Sequence, residues 1–194
     1  MAPALSFPPL DLPADGEALI EFLSREEWPF HARGRVTRDE VAAMIEKGRF
    51  AGDDQRTFWI VDGAGRRHGL IRLFDLEDAA AGDGYPLFDL RVSSGARGRG
   101  FGEEAVRWLT RHLFESFPAL HRIEGTTRAD NEPMRRLFRK CGYVKEGHYR
   151  RAWHAMDGSL HDATHYAVLR EDWERGVATP VPHDEDDAEI GSST

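Results

Sequence analysis

Cysteine is almost missing from this chain of 194 residues. Cys141 is the one thiol, which excludes an internal disulfide framework and leads us to expect a reducing, cytoplasmic setting. Lysine is scarce as well, standing only at Lys47, Lys140 and Lys145, so arginine carries most of the positive charge. Long apolar runs are lacking: no stretch approaches the roughly 20 apolar residues of a membrane-spanning helix. The first residues do not follow the basic-then-apolar order of a secretory leader either. A basic excess is also absent. The net charge of −8 disfavours nucleic acid as a partner, because such binding rests on cationic side chains facing phosphates. No internal repeat is visible. We therefore expect a soluble protein with neither a membrane nor a nucleic acid among its partners.

A hydrophobic content of 40% suffices for one sizeable core, and the length is short for two ordinary domains. The charge is unevenly placed. Asp184, Glu185, Asp186, Asp187 and Glu189 follow Gly176 with no Lys or Arg among them. Together with Pro180, Pro182, Gly191 and two serines they make residues 176–194 read as an acidic, disordered tail, which leaves residues 1–175 as one domain.

Residues 4–10 pattern as a short strand. Asp15 then caps a helix that places Ala18, Leu19, Phe22 and Leu23 on one face. Thr37 and Glu40 have capping-box spacing ahead of Val41, Met44 and Ile45, and Gly48 ends that second helix. Residues 57–61 and 69–74 read as strands of a hairpin turning through Asp62-Gly63-Ala64-Gly65. A glycine-rich loop at 79–84 leads to a strand at 87–92. A helix at 103–115, a strand at 121–127 and a helix at 132–141 follow. Two strands then turn around Asp157-Gly158, and a helical turn closes at 171–175. Hairpins first and a strand–helix–strand crossover in the middle give a mixed α/β sheet.

The most informative stretch is Arg97-Gly98-Arg99-Gly100-Phe101-Gly102, lying between a half-buried strand and an amphipathic helix. Glycines let the backbone turn sharply and approach a ligand, while the free N–H groups and positive dipole end of the helix face an anion. That geometry suits a diphosphate. A dinucleotide-dependent oxidoreductase is the competing class, since Glu124 follows at about ribose-binding distance. Its fingerprint requires glycine where Glu103 stands, however, and opens a doubly wound fold rather than hairpins.

The run Arg97, Gly100, Gly102 and the block Thr127-Arg128-Ala129-Asp130-Asn131 through Met134-Arg135-Arg136-Leu137-Phe138-Arg139-Lys140-Cys141-Gly142-Tyr143 resemble the GNAT N-acetyltransferase superfamily over residues 5–173. The ending, Glu146-Gly147-His148-Tyr149-Arg150-Arg151 with Asp157-Gly158, Asp162, Tyr166 and Leu169, is similar to the RimJ/RimL-like branch, which contains the ribosomal-protein N-terminal acetyltransferases. The resemblance implies one α+β domain with a mostly antiparallel sheet, splayed at an acyl-CoA cleft, and helices on both faces. It implies acetyl-CoA as acyl donor and a small-molecule amine or protein N-terminus as acceptor, and leaves a homodimer open. It implies that main-chain N–H groups from Arg97 through Glu103, including Gly98, Arg99, Gly100, Phe101 and Gly102, hold the pyrophosphate. The strand ending in Arg91-Val92 is implied to pair with pantetheine amides, and Asn131 to hydrogen-bond the cofactor.

Acetyl transfer needs a neutral amine, and a primary ammonium of pKa about 10 must first lose its proton. Asp89, beside the implied thioester, is the first candidate base and Glu124 on the neighbouring strand the second; pairing with Arg91 or Arg122 is the structural alternative for each. Phe138 and Met134 stand where superfamily relatives carry a tyrosine or serine acid, and neither donates a proton. Tyr143 or Tyr149 is the alternative source, and a non-catalytic acyl-CoA sensor is the alternative function. Arg135, Arg136 and Lys140 are candidates for a further phosphate. Trp28, Phe30, His31, Trp153 and His154 are candidates to line an acceptor pocket. No metal is expected: His161 and His165 on a strand lie about 13 Å apart, too far for one ion with bonds near about 2 Å.

Overall fold

The computed structural model describes residues 5–82 and 84–182, so the acidic residues of the expected tail lie outside the described residues. The elements in chain order are β1 (Leu5–Ser6), α1 (Leu12–Ser24), α2 (Arg38–Glu46), β2 (Gln55–Asp62), β3 (Arg67–Phe74), α3 (Leu76–Ala81), β4 (Leu87–Val92), α4 (Phe101–Ser116), β5 (Arg122–Arg128), α5 (Glu132–Lys140), β6 (Val144–His154), β7 (Leu160–Leu169) and α6 (Arg170–Arg175). A 3-10 turn at Ser94–Ala96 joins β4 to the glycine run.

The strands form two sheets in one mixed α/β domain, β1-β2-β3-β4 and β5-β7-β6, with every paired neighbour antiparallel. No ladder joins β4 to β5 among the described residues, so the sheet opens between them. Ser93 N donates to His68 O, which sets the phase of the β3–β4 ladder. By alternation, the main-chain groups of Leu90 and Val92 point away from β3 into this opening, and those of Arg91 point to β3.

Each face of the first sheet carries its own apolar layer. On one side α4 lays Ala105, Val106, Leu109 and Leu113, all buried, against Ile60, Ile71 and Leu73. On the other, Leu19, Phe22 and Leu23 of α1 and Val41 of α2 cover Trp59 and Leu70. Fully burying a side chain of this size is worth roughly 1.5–3 kcal/mol, so the two layers fix where the helices sit and hence where the segment at 25–37 between α1 and α2 crosses the opening.

Local signals explain most boundaries. Thr37 accepts from Glu40 N at 3.2 Å while Glu40 accepts from Thr37 N at 2.7 Å, the reciprocal capping box. The N-cap of α1 is Asp11, not Asp15; Asp15 sits in the first turn and accepts from Asp11 N at 3.1 Å. The expected loop at 79–84 is instead the end of a six-residue helix, α3, entered through Asp75 at φ 60° and left through Gly82 at φ 82°. One further irregularity matters. Arg151, at φ 54°, bulges β6 between Tyr149 and Trp153, and Asp162 accepts its N–H at 2.8 Å. The bulge resets which way the following side chains face.

Candidate functional site

Two cavities meet at the opening between the sheets. The first, the cleft, encloses about 550 Å³ and is bounded by Leu90 and Val92 of β4, the turn at 97–103 and one side of α5. The second, of about 420 Å³, lies under α1, α2 and their connection, against the β3–β4 face that carries Arg72, Asp89 and Arg91. Phe30, His31, Leu90, Asn131 and Met134 line both and so mark the junction.

The cleft has the features of an anion cradle. Gly98 and Gly100 take φ of 73° and 87°, with open space where a Cβ would stand, whereas a Cβ on Gly102 would press on Leu137 Cδ2 at 3.2 Å. Gly100 is the N-cap of α4 and has no side chain to close it. The first helical hydrogen bond is Glu104 N to Gly100 O at 3.1 Å, which leaves the N–H groups of Phe101, Gly102 and Glu103 without intrahelical partners. Arg97, Gly98, Gly100, Gly102, Glu103 and Val92 line the cleft. Arg99 and Phe101 do not: Arg99 donates back to Gly95 O at 3.4 Å, and the Phe101 ring is buried in the core beside His68. Arg91 belongs to the other cavity, and its main chain faces β3 rather than the opening. Arg136 and Lys140 line the cleft, whereas Arg135 is turned to Glu132 and Ala129 O.

The segment at 25–37 is pinned over this junction at several points. Glu26 accepts from Ser94 N at 2.8 Å and lies 3.5 Å from Arg97 Nη2. Arg128 donates to Pro29 O at 3.3 Å. His31 Nε2 lies 2.9 Å from Asp89 Oδ1 and 3.3 Å from Leu90 O, while Asp89 Oδ2 accepts from Arg91 Nε at 3.0 Å. Both carboxylate oxygens of Asp89 are therefore engaged. Burial opposes ionising Asp89, but the His31 hydrogen bond and the Arg91 charge outweigh it and hold the carboxyl well below the usual carboxylate range. In the neutral tautomer that directs Nε2–H at Asp89, the remaining lone pair of His31 is on Nδ1, a buried atom with no partner.

Other expected residues are placed elsewhere. Glu124 lines neither cavity; it faces Arg122 at 2.8 Å and His165 at 3.3 Å. Asn131 lies at the junction, but its amide is used locally, accepting from Met134 N at 3.3 Å as the N-cap of α5 and donating to Thr127 Oγ1 at 2.9 Å. Tyr143 is sealed in the core against Thr110 Oγ1 at 2.9 Å, and burial raises its phenol above the ordinary value. Tyr149 is exposed on β6. Neither tyrosine lines a cavity. Met134 and Phe138 do, Phe138 also stacking on Tyr166 at 4.9 Å in the core. Phe30, His31 and Trp153 line the second cavity and Trp28 the cleft, whereas His154 lines neither. Among the described residues, no group of three or more His, Cys, Asp or Glu is arranged to hold a metal ion.

Sequence reasoning missed Arg72. Its guanidinium packs over the Phe74 ring at 4.8 Å, lines the second cavity and has no carboxylate within ion-pair distance among the described residues. Burial lowers it from its ordinary value, with Asp89 opposing and Arg49 and Arg91 reinforcing the shift. A lone Arg inside an alternating strand carries no signal of this; only the pairing of Arg72 with Asp89 across β3–β4 does.

Comparison with known proteins agrees with this geometry. The acetyltransferase (GNAT) domain family model matches residues 6–144. The SPbeta prophage-derived uncharacterized N-acetyltransferase YokL of Bacillus subtilis (strain 168) is 28% identical over 137 residues, 71% of each chain. Among solved structures, a chimera of the Vibrio cholerae spermidine N-acetyltransferase SpeG and hSSAT superposes with a TM-score of 0.72 at 19% identity, covering 88% of this chain and 98% of the other. The V. cholerae enzyme in complex with CoA and spermine gives 0.69 at 19% identity, with the same coverage. At such identities these structures speak for the fold.

Proposed function

The chain belongs to the GNAT acetyltransferase family, and from that premise we propose that it transfers an acetyl group from acetyl-CoA to a primary amine, by direct attack within a ternary complex. The observation that carries this reading is His31, which lines both cavities and is fixed at Nε2 by Asp89 while Nδ1 has no partner.

Acetyl-CoA supplies a thioester carbonyl already activated toward an amine. The chain's own residues fit such a donor. The N–H groups of Phe101, Gly102 and Glu103 and the open turn at Gly98 and Gly100 would hold a diphosphate. Arg136 and Lys140, at the α5 wall of the cleft, would meet a further phosphate. Leu90 and Val92 would offer their main-chain N–H groups to an amide-bearing arm laid along β4, in the manner of an added strand, while their carbonyls lie against His31 Nε2 at 3.3 Å and Arg97 Nε at 2.9 Å.

In our reading His31 accepts the amine proton at Nδ1, an atom that amine entry must first uncover because it is buried here, Asp89 orients and stabilises the imidazolium, and CoA departs as the thiolate when the C–S bond breaks. This replaces Asp89 as the base itself. A carboxylate held so far below its usual range is a weak proton acceptor at neutral pH. Glu124, outside both cavities, has no part in it. A general base of this kind contributes about 10²–10⁴-fold in rate.

The RimJ/RimL-like branch and a cytoplasmic setting remain our reading of the ending of the chain and of its cysteine content. The second functional reading is a non-catalytic acyl-CoA sensor. The observation favouring it is that no Tyr, Ser or Cys lines either cavity among the described residues to protonate a leaving sulfur.

Titration calorimetry with acetyl-CoA and with NADH, followed by an assay of thiol release on adding amines, tests the proposal. Binding of acetyl-CoA and amine-dependent thiol release are expected. Tight NADH binding without acetyl-CoA binding refutes it, and acetyl-CoA binding without thiol release for any amine points to the sensor.

A further inference from the structure

We infer that the acceptor of this enzyme is an amine that also carries a carboxylate on an apolar body, an amino acid rather than a polyamine, and that Arg72 is its carboxylate anchor. The inference rests on the acetyl-transfer reading above and names the substrate class of the second cavity.

The charges lining that cavity are the first argument. They are Arg33, Arg72 and Arg91 against Asp89, with His31 beside them. Asp89 is occupied on both oxygens by His31 and Arg91. Arg33 is 3.6 Å from Glu40 at the exposed rim. That leaves Arg72 as a cation at the cavity with no carboxylate within ion-pair distance among the described residues. A polycation entering here would meet uncompensated positive charge and find no free carboxylate to receive it.

The hydrogen-bond inventory points the same way. Arg72 Nε, Arg91 Nη1 and Trp153 Nε1 are buried nitrogens without partners, and all three side chains line this cavity. Each of them can only donate. Buried polar groups in folded proteins are rarely left unpaired; these three nitrogens are shut off from water in the present arrangement, so the acceptor oxygens of a ligand would meet them only as the cavity wall adjusts around it. A carboxylate matches the planar fork of a guanidinium.

The rest of the lining selects the body of the ligand. Leu23, Val36, Met44, Phe50, Leu70 and Phe74 make the wall around Arg72 apolar. The Phe50 and Phe74 rings lie 5.8 Å and 4.8 Å from its guanidinium carbon, which helps hold the fork in place. Arg72 and Asp89 are cross-strand neighbours, and Asp89 is bonded to His31. The anchor and the proton acceptor thus sit on either side of one carboxylate, a spacing for a compact ligand with its amine and its acid close together.

The test compares leucine and phenylalanine with leucinamide and phenylalaninamide, which keep the amine and the body but lose the charge, and with spermidine. Rates are read as CoA release, and binding as the shift of the melting temperature by each compound with acetyl-CoA withheld. The acids should exceed their amides in kcat/KM by at least about tenfold, raise the melting temperature where the amides do not, and outperform spermidine. In Arg72→Gln the acid-to-amide ratio should collapse by at least about tenfold, and Arg72→Lys, which keeps the charge and loses the fork, should fall between. Equal rates for acid and amide, a preference for spermidine, or an Arg72→Gln variant that loses both substrates in proportion each overturns the inference. Absence of CoA release with every amine, in protein that binds acetyl-CoA, overturns instead the transfer reading on which the inference rests.

Discussion

Replacing Asp89 by Asn probes the junction most sharply, because it changes charge and hydrogen-bond direction at nearly constant shape. In the native arrangement Asp89 accepts from both His31 and Arg91, at 2.9 and 3.0 Å. An amide offers one acceptor oxygen, which Arg91 captures because arginine can only donate. The amide nitrogen then faces His31 Nε2, which must become an acceptor, and the imidazole proton moves to Nδ1. A histidine protonated at Nδ1 cannot take a proton there, so turnover should fall by about 10²–10⁴-fold, the worth of a general base. Acetyl-CoA affinity should stay within about threefold, since Asp89 does not line the cleft. Breaking a fully buried ion pair costs about 3–5 kcal/mol. Here Asp89 retains 22% exposure, so we expect about 2–3 kcal/mol, or a melting temperature lower by roughly 5–10 °C.

The pH dependence follows from the direction of the Asp89 shift. Its folded value is depressed below the ordinary one. Its contribution to stability is therefore fully present above the unfolded carboxyl value of about 3.9 and is lost only as pH falls through the depressed folded value. Across pH 6–9 Asp89 is ionised and adds no limb to the rate profile. Steady-state CoA release and calorimetry on the folded variant check these points. Turnover within about threefold of the native enzyme, or a loss of acetyl-CoA affinity matching the loss of turnover, would refute the reasoning.

Three further outcomes are expected. Gly102→Glu puts a side chain against Leu137 and a negative charge at the start of α4; acetyl-CoA affinity by calorimetry should drop at least about 30-fold, and unchanged affinity would place the diphosphate elsewhere. Gly125→Ala drives a methyl group into the Phe138 ring, with Phe88 Cζ 3.3 Å away; denaturant unfolding should show a loss of about 2–3 kcal/mol, the cost of overpacking, and a neutral effect would contradict the packing at the cavity floor. Burial pushes the Cys141 thiol up to about 11, so a disulfide reagent at pH 7.5 should label native protein far more slowly than unfolded protein; rapid native labelling would mean that α5 opens at its C-terminal end.

Much of the scaffold was legible because its signals are local. The bounds of β4, the capping box at Thr37 and Glu40, the hairpin between β2 and β3 and the glycine stop at Gly142 each depend on a few neighbouring residues. The α3 helix was not legible: its six residues begin after a left-handed Asp75 and end in glycine-rich sequence, which reads equally as loop. The cleft was partly legible, since Gly98, Gly100 and Gly102 act through the backbone they permit. The side chains of Arg99 and Phe101 turn away from it, Arg99 to Gly95 O and Phe101 into the core, so these two residues could serve it only through their main chain. The second cavity was least legible. His31 and Asp89 are joined across 57 intervening positions by the packing of α1 and α2 on the sheet, and Arg72 meets Asp89 only through strand register. A bulge at Arg151 precedes Trp153, which lines that cavity. None of these has a signature in local composition.

CoA release at saturating acetyl-CoA, measured amine by amine for the native enzyme and His31→Gln side by side, tests the central claim most directly. We predict amine-dependent release by the native enzyme, with acetylated amine formed in equal amount. His31→Gln should bind acetyl-CoA within about threefold of native while its turnover falls by about 10²-fold or more. Turnover by His31→Gln equal to that of the native enzyme would contradict the claim that His31, at the junction of the two cavities, takes the proton.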